Sequence, residues 1–580
     1  MRFTPFLLTF TLLLSVPNFS YGEQRTEKQN GIYRVAIPEK VSGFDPINSD
    51  NSITANIIKH IYGTLVDYRT KKESSNQSFN DIVPQLAEEW NISSDRKIYN
   101  FKIRDNVYFH NGRKLTAFDV KHTIERLANP KILPSFFNWI FRDIPIKGLK
   151  KYQNDCKKNV SEPDLEGIKV LDDRLVQIIL TAPTPLLLKE LTLPVFSIIP
   201  KEETDKWEND FRFHPVGTGP FMFESFSENK IVFKKNPKYY EKETPHISTL
   251  IYKVVTKSED EYKLFQQNEL EQTSIPDSEV DELMQKEQWG KFGTNVFNST
   301  SFNDHSVSEI IKEPLMINTF LGINLKHKGF DSIKVRQALN YSINKSKIIT
   351  KILNYKAIDS FGPLPEHFPG ASENRQKPYP FDPVKEKKLL YETGLSDYSG
   401  DGILELKGKP VTLNLWYYQN SEAEKVCNSI KNDLQAVGFK INLKKATDWK
   451  DFLKKIISGQ AELYHYSWKA NYADPDKFLT PLFDSRYIGS TNLTGFSNSE
   501  VDRLLARGRV VPEDEFRYRF YKNVEKIIIE QAPWVFLYQP AKYVMIKPYV
   551  FGMQVHPILQ NVFKYTYIDK SDNSLTLTKK

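Results

Sequence analysis

Short apolar segments alternate with amphipathic stretches along almost the whole chain, and this alternation limits the possible folds more than any other feature of the sequence. Strands that alternate with helices in this way are typical of α/β lobes. We therefore predict an α/β architecture throughout. The predicted strands are 33–37, 99–103, 175–180, 231–233, 250–255, 411–416, 440–443, 462–466 and 534–538.

The helix predictions rest on apolar stripes that are preceded by capping residues. Thr116 precedes such a stripe and has Asp119 three residues later, which is the spacing of a capping box. Asp382 and Pro383 supply a cap and a first-turn proline for another helix. Further helices are predicted from the stripe over 53–65, from Ser421 and Glu424 with Gly438 as the stop, and over 513–531.

Length and charge narrow the classes of function. At 580 residues the chain is long enough for more than one buried core. Lys and Arg number 80 against 72 Asp and Glu, and the two signs are mixed along the chain. Nucleic-acid binding, which needs a concentrated basic surface, is therefore not expected. Aromatic residues make up 13% of the chain, which favours a recognition cleft.

The first residues predict export. Met1 and Arg2 are followed by an apolar run over 6–16 and by small residues up to Gly22, which indicates a secretory signal peptide cleaved near Gly22. The run has about half of the ~20 residues that a membrane-spanning helix needs, so a membrane anchor is disfavoured. We expect an exported, soluble, periplasmic protein.

Only two cysteines are present, Cys156 and Cys427. Neither lies at the predicted cleavage site, so a lipoprotein is not expected. Their number and separation indicate neither a disulfide scaffold nor a metal motif. Two unpaired thiols are favoured over one long-range bridge, and we expect stability to come from hydrophobic cores.

The common short signatures of catalysis and of cofactor binding are missing from the sequence. It lacks G-x-S-x-G, H-E-x-x-H, C-x-x-C and the phosphate-loop pattern. The glycines Gly217 and Gly219 are interpreted as a turn before a strand over 221–223. The segment 397–402 resembles the start of a calcium loop, but Gly408 stands where a glutamate is needed, so a turn is favoured. We predict no cofactor and no metal site, and binding is favoured over catalysis.

One segment is far more specific than these patterns. It reads Pro84-x-Leu86-Ala87-Glu88-x-Trp90, then Asp95, then Tyr99-x-Phe101-x-Ile103-Arg104-x-x-Val107-x-Phe109-His110-x-Gly112-x-x-Leu115-Thr116-Ala117-x-Asp119-Val120. The segment resembles the signature of the family 5 extracellular solute-binding proteins, the oligopeptide- and dipeptide-binding receptors of ABC importers. Supporting matches in the family's order are Asp45-Pro46, Tyr62-Gly63, Pro215–Phe221, Asn324, Val335–Leu339, Gly400-Asp401-Gly402, Trp468, Asp474-Pro475 and Ala532–Tyr538.

The resemblance implies a two-lobed α/β periplasmic binding protein, type II-like and of the large three-domain variety, with discontinuous domains and a ligand cleft between the lobes. After a signal peptide over 1–22, the first domain would comprise 23–62, 200–312 and 541–580. A second domain, 63–199, would be inserted in the same lobe. A third domain, 313–540, would form the other lobe, and hinge motion would close the lobes around the ligand.

The resemblance also implies a ligand-contacting segment after Trp468. In peptide-binding members this segment supplies an aspartate that pairs with the α-amino group of the ligand. Here Lys469 and Ala470 follow, and Asn471 occupies the aspartate position. An uncharged amide weakens a desolvated pair by on the order of 1–3 kcal/mol. Either the amino terminus is bound elsewhere or the ligand has none. Lys469 would suit a carboxylate or phosphate, or it is a solvated surface lysine.

Other positions are weaker candidates for ligand contact. Asp50 lies where peptide-binding relatives carry an acidic residue, so it could receive a cationic group or could instead begin a helix. For each aromatic candidate, core packing is at least as good an explanation as ligand contact. The remaining candidates are Phe136 and Phe137 beyond a helix end, Phe320 and Asn324 in the first strand of the second lobe, and Trp416 and Tyr417 at the end of another strand.

Three hypotheses follow. The leading one is a monomeric periplasmic receptor that captures a peptide or peptide-like solute and delivers it to ABC transporter permease subunits in the inner membrane. The second keeps the fold but has a non-peptide ligand such as a glycoconjugate, a metal chelate or haem, and Asn471 motivates it. The third is a secreted hydrolase that acts on cell-wall material.

Overall fold

A computed structural model of the chain describes residues 31–49, 51–70, 81–133, 140–280, 309–366, 368–372, 375–418, 421–556 and 560–570. The strands are β1 Ile32–Ile37, β2 Val66–Tyr68, β3 Ile82–Pro84, β4 Ala87–Ile92, β5 Ile98–Ile103, β6 Ile168–Asp172, β7 Leu175–Ile179, β8 Phe221–Ser227, β9 Lys230–Lys235, β10 Thr249–Val254, β11 Gln272–Ser274, β12 Glu309–Pro314, β13 Ile317–Ile323, β14 Ala357–Asp359, β15 Leu395–Ser396, β16 Glu405–Leu406, β17 Lys409–Pro410, β18 Thr412–Tyr417, β19 Lys440–Lys445, β20 Leu463–Lys469, β21 Trp534–Ile546, β22 Val550–Phe551, β23 Gln554–His556, β24 Gln560–Val562 and β25 Tyr567–Ile568.

The α-helices lie between these strands and mostly pack on the faces of the sheets. They are α1 Ser52–Ile61, α2 Ala117–Ala128, α3 Ile140–Asp143, α4 Leu149–Lys157, α5 Leu187–Glu190, α6 Lys201–Trp207, α7 Ser258–Gln266, α8 Ile333–Ser342, α9 Lys345–Lys347, α10 Pro383–Tyr391, α11 Ser421–Ala436, α12 Trp449–Ile457, α13 Asp476–Phe483, α14 Ser499–Gly508 and α15 Asp514–Gln531.

Three sheets of four or more strands organise the described residues. The first has the order β1-β10-β9-β8, in which β1 and β10 are parallel and the other neighbours are antiparallel. The second, β4-β5-β7-β6, is antiparallel throughout. The largest runs β11-β21-β13-β20-β18-β19, and β12 and β14 also pair with β21.

Hydrophobic side chains form clusters that follow these sheets. One cluster extends from Leu65 to Ile198 around the β4–β7 sheet. Another combines residues of 33–62, 199–252 and 544–563 around the sheet that contains β1. Two more cover the two faces of the largest sheet. We call the first two clusters with their sheets the first lobe, and the last two clusters with β13–β20 and the first half of β21 the second lobe.

Strand β21 joins the two lobes. Its first part pairs with β13 of the second lobe, and its last part pairs with β12 and β11. The sequence predicted a strand over 534–538, and the structure continues it through Pro540. A proline is tolerated there because its carbonyl accepts a hydrogen bond from Leu315 N at 2.9 Å, although it has no N–H to donate. Leu315 lies in the second crossing between the lobes, where β12 leads into β13.

The nine strands listed from the sequence are found, and apart from the extension of β21 their ends lie within three residues of the predictions. The strand predicted over 221–223 continues to Ser227 as β8. The capping box at Thr116 forms, and Asp119 Oδ2 accepts a hydrogen bond from Thr116 N at 2.9 Å. Asp382 caps α10 as predicted. The helix at Ser421 begins with that residue itself, so Ser421 is the first helical residue rather than the cap. Gly438, with φ +103°, follows the end of this helix.

Both cysteines are buried and free, and they lie in the hydrophobic clusters of different lobes. Unpaired thiols were the interpretation that the sequence favoured. Among the helices of the described ranges, none has the length and apolar character needed to cross a membrane.

The stack of Phe320 on Trp534 generates a stability prediction. The two rings are 3.5 Å apart and nearly parallel, and Phe320 is 2% exposed. We expect Phe320→Ala to lower the free energy of unfolding by about 3–5 kcal/mol, because it leaves a cavity beside the indole. Urea denaturation followed by tryptophan fluorescence measures this change. The matched control, Tyr391→Ala at a position that is 75% exposed, should change it by less than about 0.5 kcal/mol. Equal effects of the two substitutions would contradict the assignment of Phe320 to the core.

Candidate ligand site at the junction of the lobes

The predicted site segment 468–471 lies at the carboxyl end of β20, beside a crossing between the lobes. Residues 317–323 of β13 pair antiparallel with 463–469 of β20, so Ile317 faces Lys469. One residue further on, Ala470 N donates a hydrogen bond to the carbonyl of Met316 at 3.1 Å. Met316 directly follows the crossing residue Leu315. The segment is therefore held at the junction by main-chain hydrogen bonds.

One edge of β20 is open near this junction. Strand β18 runs parallel to β20 but pairs with it at only two positions, the last being Trp416 with Tyr464. Strand β18 ends at Tyr417, one residue beyond this pair, whereas β20 continues to Lys469. Among the described residues, the edge of β20 over 465–469 that faces β18 has no partner strand. The two strands thus form a fork.

The backbone groups of alternate residues point into this fork. Neighbouring residues of a strand direct their N–H and C=O groups to opposite edges. Because Ala470 N bonds to the β13 side, the backbone groups of His465, Ser467 and Lys469 face the other side. The parallel pair of Trp416 with Tyr464 uses the N–H of His465, so the fork offers the hydrogen-bond groups of Ser467 and Lys469 to an added strand.

Aromatic rings line one face of the fork. Trp468 lies 6.5 Å from Tyr466, Tyr466 lies 5.7 Å from Trp449, and Trp449 lies 5.8 Å from Tyr418, measured between ring centroids. Phe452 supports Trp449 from α12. Trp449 and Tyr418 are 44% and 41% exposed, so the outer part of this row is open to solvent. We call these five residues the aromatic wall.

The aromatic wall is held in place by a hydrogen bond. The indole Nε1 of Trp468 donates to the carbonyl of Lys477 at 2.7 Å, which fixes the ring between β20 and α13. Sequence reasoning missed Trp449 and Tyr418. Both aromatics lie at the boundary between a strand and the helix that follows it: Tyr418 comes directly after β18, and Trp449 directly follows the helix cap Asp448. This position between two elements was the only signal in the sequence that could have identified them.

The opposite face of the fork is polar. Ser467 and Thr319, which pair across the strands, approach each other to 2.9 Å between their hydroxyl oxygens. His465 Nε2 lies 3.4 Å from the hydroxyl of Tyr538. Burial lowers the pKa of His465 to about 4, so its ring is neutral at neutral pH and serves as a hydrogen-bonding group. A ligand strand in the fork would contact aromatic rings on one side and hydroxyl and imidazole groups on the other.

Asn471 lies two residues beyond the end of β20, next to the contact with the first lobe. Its side chain is exposed, whereas Ala470 before it and Tyr472 after it are buried. Lys469 is exposed as well. The amide and the ammonium thus stand at the end of the open edge, next to the junction.

The side chain of Tyr472 packs into the first lobe. Its side chain is 0% exposed and belongs to the hydrophobic cluster of the β4–β7 sheet, although its neighbours in sequence belong to the second lobe. The hydroxyl donates a hydrogen bond to Glu190 Oε1 at 3.0 Å. The position of Asn471 is therefore fixed from both lobes.

Buried ion pairs surround this crossing. Asp474 Oδ2 accepts hydrogen bonds from Lys189 Nζ of the first lobe and from Arg517 Nη1 of the second, both at 2.6 Å. Arg517 Nη2 binds the other oxygen at 2.9 Å. Burial alone would raise the pKa of Asp474, but the two cations hold it well below its usual range. Asp474 is therefore an anion that bridges the lobes.

A second group of ion pairs lies beside the first. Asp143 of the first lobe binds Lys477 and, at 2.7 Å, Arg509 of the second lobe. Lys477 also lies 3.5 Å from Glu190. We call the two groups together the interlobe cluster; its cations are Lys189, Lys477, Arg509 and Arg517, and its carboxyl groups are Asp143, Glu190, Asp474, Asp476 and Asp514.

Glu190 is the least satisfied carboxyl group of the interlobe cluster. It is fully buried, and its Oε2 has no hydrogen-bond partner. Burial raises its pKa to about 8, against the opposing effect of Lys477. With Glu190 protonated, the four cations of the cluster face four carboxylates, of which Asp514 is 43% exposed.

The structure separates the other predicted site residues from Asn471. Phe320 lies in the hydrophobic core against Trp534, on the same sheet face as Trp468 but beneath Tyr466. Asn324 follows Ile323, which pairs with Leu463 at the far end of β20, so it lies a whole strand length from Asn471. Neither is brought to the junction.

Trp416 and Tyr417 lie at the base of the fork. Tyr417 is buried in the hydrophobic cluster of β18 and α11, and burial raises its pKa to about 12. The Trp416 ring is partly buried, with Lys455 Nζ 5.4 Å from its centroid. Both lie where β18 and β20 part. The remaining predictions, Asp50, Phe136 and Phe137, lie outside the described residues.

The described residues contain no group of three or more His, Cys, Asp or Glu side chains placed to hold a metal ion. The segment that resembles a calcium loop forms a turn, in which Asp397 accepts hydrogen bonds from the N–H groups of Gly400 and Gly402. The carboxylate is thus engaged in local turn geometry, as the sequence favoured.

Comparisons with known proteins agree on one family. The family model described as bacterial extracellular solute-binding proteins, family 5 Middle, matches residues 81–490. Heme-binding protein A of Haemophilus influenzae is 26% identical over 524 residues, which cover 88% of this chain and 87% of the relative. Di/tripeptide-binding protein 2 of Pseudomonas aeruginosa is 25% identical over 590 residues, which cover 97% and 99%.

The fold is likewise known. The structure of HbpA2 from Haemophilus parasuis superposes with a TM-score of 0.76 at 22% identity, covering 93% of this chain and all of that one. This similarity confirms the predicted fold class, a two-lobed α/β periplasmic binding protein.

Glu190 generates a pH prediction. In the unfolded chain it ionises near pH 4.5, whereas in the folded protein its pKa is about 8. Its contribution to stability is therefore fully present below about pH 4.5 and is lost as the pH rises towards 8. We expect the free energy of unfolding of the wild type to fall relative to that of Glu190→Gln by on the order of 2–4 kcal/mol between pH 5 and pH 8.

Urea denaturation at both pH values measures this difference in the free energy of unfolding. The exposed variant Glu89→Gln is the control. A wild-type to Glu190→Gln difference that stays constant with pH would contradict the prediction.

Proposed function

The chain belongs to the bacterial extracellular solute-binding proteins of family 5, and we propose that it captures a peptide or peptide-like solute between its lobes as the receptor of an ABC importer. Membership confirms the resemblance that the segment 84–120 carries. The family is one of binding proteins, and we propose that this chain has no enzymatic activity of its own, which sets aside the cell-wall hydrolase.

The open fork between β18 and β20 is the observation that carries the proposal. An extended peptide presents the same N–H and C=O groups whatever its side chains are. The backbone groups of Ser467 and Lys469 can pair with it as a neighbouring strand would. Such pairing gives affinity without demanding one particular sequence.

The two faces of the fork explain how varied side chains are accepted. Residues of an added strand point alternately to opposite faces. On one face they meet the aromatic wall, whose broad apolar rings tolerate many shapes. On the other they meet the polar groups of Ser467, Thr319 and His465. Contact with both lobes would exclude water and strengthen each polar contact.

A second candidate function, binding of a non-peptide solute in the same place, is favoured by Asn471. Without a carboxylate at this position, the site lacks the charge that an α-ammonium group requires there. Lys469 beside it suits an anionic group better. A heme-binding protein is among the relatives, as is a di/tripeptide-binding protein, so the family accommodates both ligand classes.

The wider biological setting is part of the proposal. The apolar run over 6–16 supports export with cleavage near Gly22, and the family is extracellular by description. We propose that the mature protein is a periplasmic monomer that delivers its solute to permease subunits in the inner membrane. No nucleic acid and no cofactor enter this function.

We also propose the three-domain division given by the resemblance, with boundaries at 62/63, 199/200, 312/313 and 540/541. The hydrophobic clusters support it. One cluster holds residues from 65 to 198 together with Tyr472, two others combine residues of 33–62 and 199–280 with residues of 543–563, and the remaining two lie within 316–538.

Two measurements test the function. A screen of di- to octapeptides should raise the melting temperature of the purified protein in a saturable way if peptides bind. Mass spectrometry of gently denatured protein from the native host should identify any solute that copurifies. A copurified chelate or porphyrin with no response to peptides would favour the second candidate. No response to either class would overturn solute binding at this site.

The aromatic wall generates a binding prediction. We expect Trp449→Ala to weaken the tightest peptide found in the screen by roughly tenfold, because an exposed indole would lose its contact with a ligand side chain. Isothermal titration calorimetry measures the change. Tyr391→Ala removes another exposed aromatic of the second lobe, on α10, and should leave the affinity unchanged. If both variants bound the peptide with the affinity of the wild type, Trp449 would not be in contact with the ligand.

Asn471 generates a prediction of specificity. Replacing it by aspartate restores a carboxylate beside the ligand terminus. We expect Asn471→Asp to favour a free-amine peptide over its N-acetyl form by roughly tenfold more than the wild type does, which corresponds to about 1.4 kcal/mol. Titration of the same peptide in both forms measures the ratio. An unchanged ratio would show that the ligand terminus does not lie at residue 471.

A further inference from the structure

The side chain of Tyr472 connects the lobes by packing, although the main chain does not pass from one lobe to the other at this residue. Its ring is completely buried in the hydrophobic cluster of the first lobe, and its hydroxyl binds Glu190 of α5. Its main chain continues β20 of the second lobe. A hydrophobic side chain that is fixed in one lobe while its backbone belongs to the other restricts how the two can move apart.

The ion pairs beside Tyr472 restrict the motion further. Lys189, on the same helix as Glu190, binds Asp474 at 2.6 Å and Asp514 at 2.8 Å. Arg517 binds Asp474 from the other side. Asp474 and Arg517 are fully buried, and Lys189 is nearly so. Separating the lobes here would break the hydrogen bonds of Lys189 to Asp474 and Asp514 and would expose the buried ring of Tyr472 to water.

The location of these contacts is next to the hinge. Leu315 N donates to Pro540 O where the two crossing strands lie side by side. Met316, the next residue, accepts the hydrogen bond of Ala470 N, and Tyr472 follows two residues later. In a rotation about the crossing strands, groups this near the axis move least. The contacts can therefore persist while the far side of the cleft opens.

We propose that Tyr472 and the chain Lys189–Asp474–Arg517 form a pivot about which the lobes turn, and that they position Asn471 and the end of β20 relative to the first lobe whether or not a solute is bound. This inference rests on the proposed function, in which residues 465–471 receive the solute. Tyr472, Lys189 and Asp474 act as positioning residues. The part of the site at Asn471 and the end of β20 is therefore preformed, and solute binding closes the part of the cleft that lies farther from the crossing strands.

A second ion pair between the lobes differs from the buried ones because it is exposed to solvent. Arg96 of the first lobe binds Glu513 of the second at 2.6 Å, but both side chains are well exposed. Water can replace each partner, so this pair can separate at little cost. It therefore serves as a control for the buried pivot, since it joins the same two lobes.

Distance measurement by pulsed electron spin resonance tests the pivot in the full mature chain. Spin labels on Lys147→Cys and Ala506→Cys, both exposed, flank the contact between Asp143 and Arg509 from the two lobes. The native cysteines are buried. We expect one narrow distance distribution, unchanged when the peptide mixture of the screen is added.

Substitutions then separate a pivot from a passive contact. Lys189→Met removes the bridge but leaves Asp474 paired with Arg517, so the fold is retained, and a melting curve checks this. We expect its distance distribution to broaden and to gain a longer population. We expect Tyr472→Ala to broaden the distance distribution in the same way. If this variant does not fold, the result for Lys189→Met alone tests the pivot. Glu513→Gln, the exposed control, should match the wild type.

Two results would overturn the pivot. One is a broad or two-state distribution in the wild type, which would mean that the lobes separate at this contact. The other is a Lys189→Met distribution as narrow as that of the wild type. The label experiment without peptide requires no ligand, so failure of peptide binding and failure of the pivot are distinguishable.

Discussion

The pairing of β13 with both β20 and β21 determines the position of every part of the candidate site. Strand β21 carries the chain between the lobes, and β20 ends beside the same crossing, so residues 468–471 must lie at the junction. The side-chain period of two then assigns the aromatic wall to one face and the polar groups to the other. A slip of one residue in the register would exchange the two faces.

The interlobe cluster is the main electrostatic consequence of this arrangement. Chain segments that approach at the junction bring five carboxyl groups and four cations into a poorly hydrated space. Charges in such a space are tolerated only when they are paired and hydrogen-bonded, and the carboxyl group with the poorest partners holds a proton. In this protein that group is Glu190. The same pairs that make the cluster neutral also hold the lobes together near the hinge, so electrostatics and lobe motion are linked.

Much of the fold could be predicted from the sequence because its signals are local. Strand alternation, the capping box at Thr116 and the cap at Asp382 depend on residues a few positions apart. The segment 468–471 could be located as well, since a linear motif carries it. The aromatic wall could not, because Trp449 reaches Tyr466 only through the packing of α12 on the sheet. Nor could the interlobe cluster, whose members Asp143, Lys189 and Arg517 are far apart in sequence.

The positions of Phe320 and Asn324 could not be predicted from the sequence either. Both were expected near the ligand because they lie in the first strand of the second lobe. Which face and which end of that strand they occupy depends on its register with β20, and the sequence of one strand does not contain that information. Once the register is known, Phe320 lies in the core and Asn324 lies at the far end.

The central claim is that a solute with a peptide backbone adds a strand to the open edge of β20. Hydrogen exchange of the backbone amides of Ser467 and Lys469, with and without a saturating peptide, tests it most directly. The claim predicts that these amides exchange markedly more slowly in the complex, while those of α10 on the outside of the second lobe do not change. Unchanged exchange at both residues in a protein that demonstrably binds the peptide would contradict it.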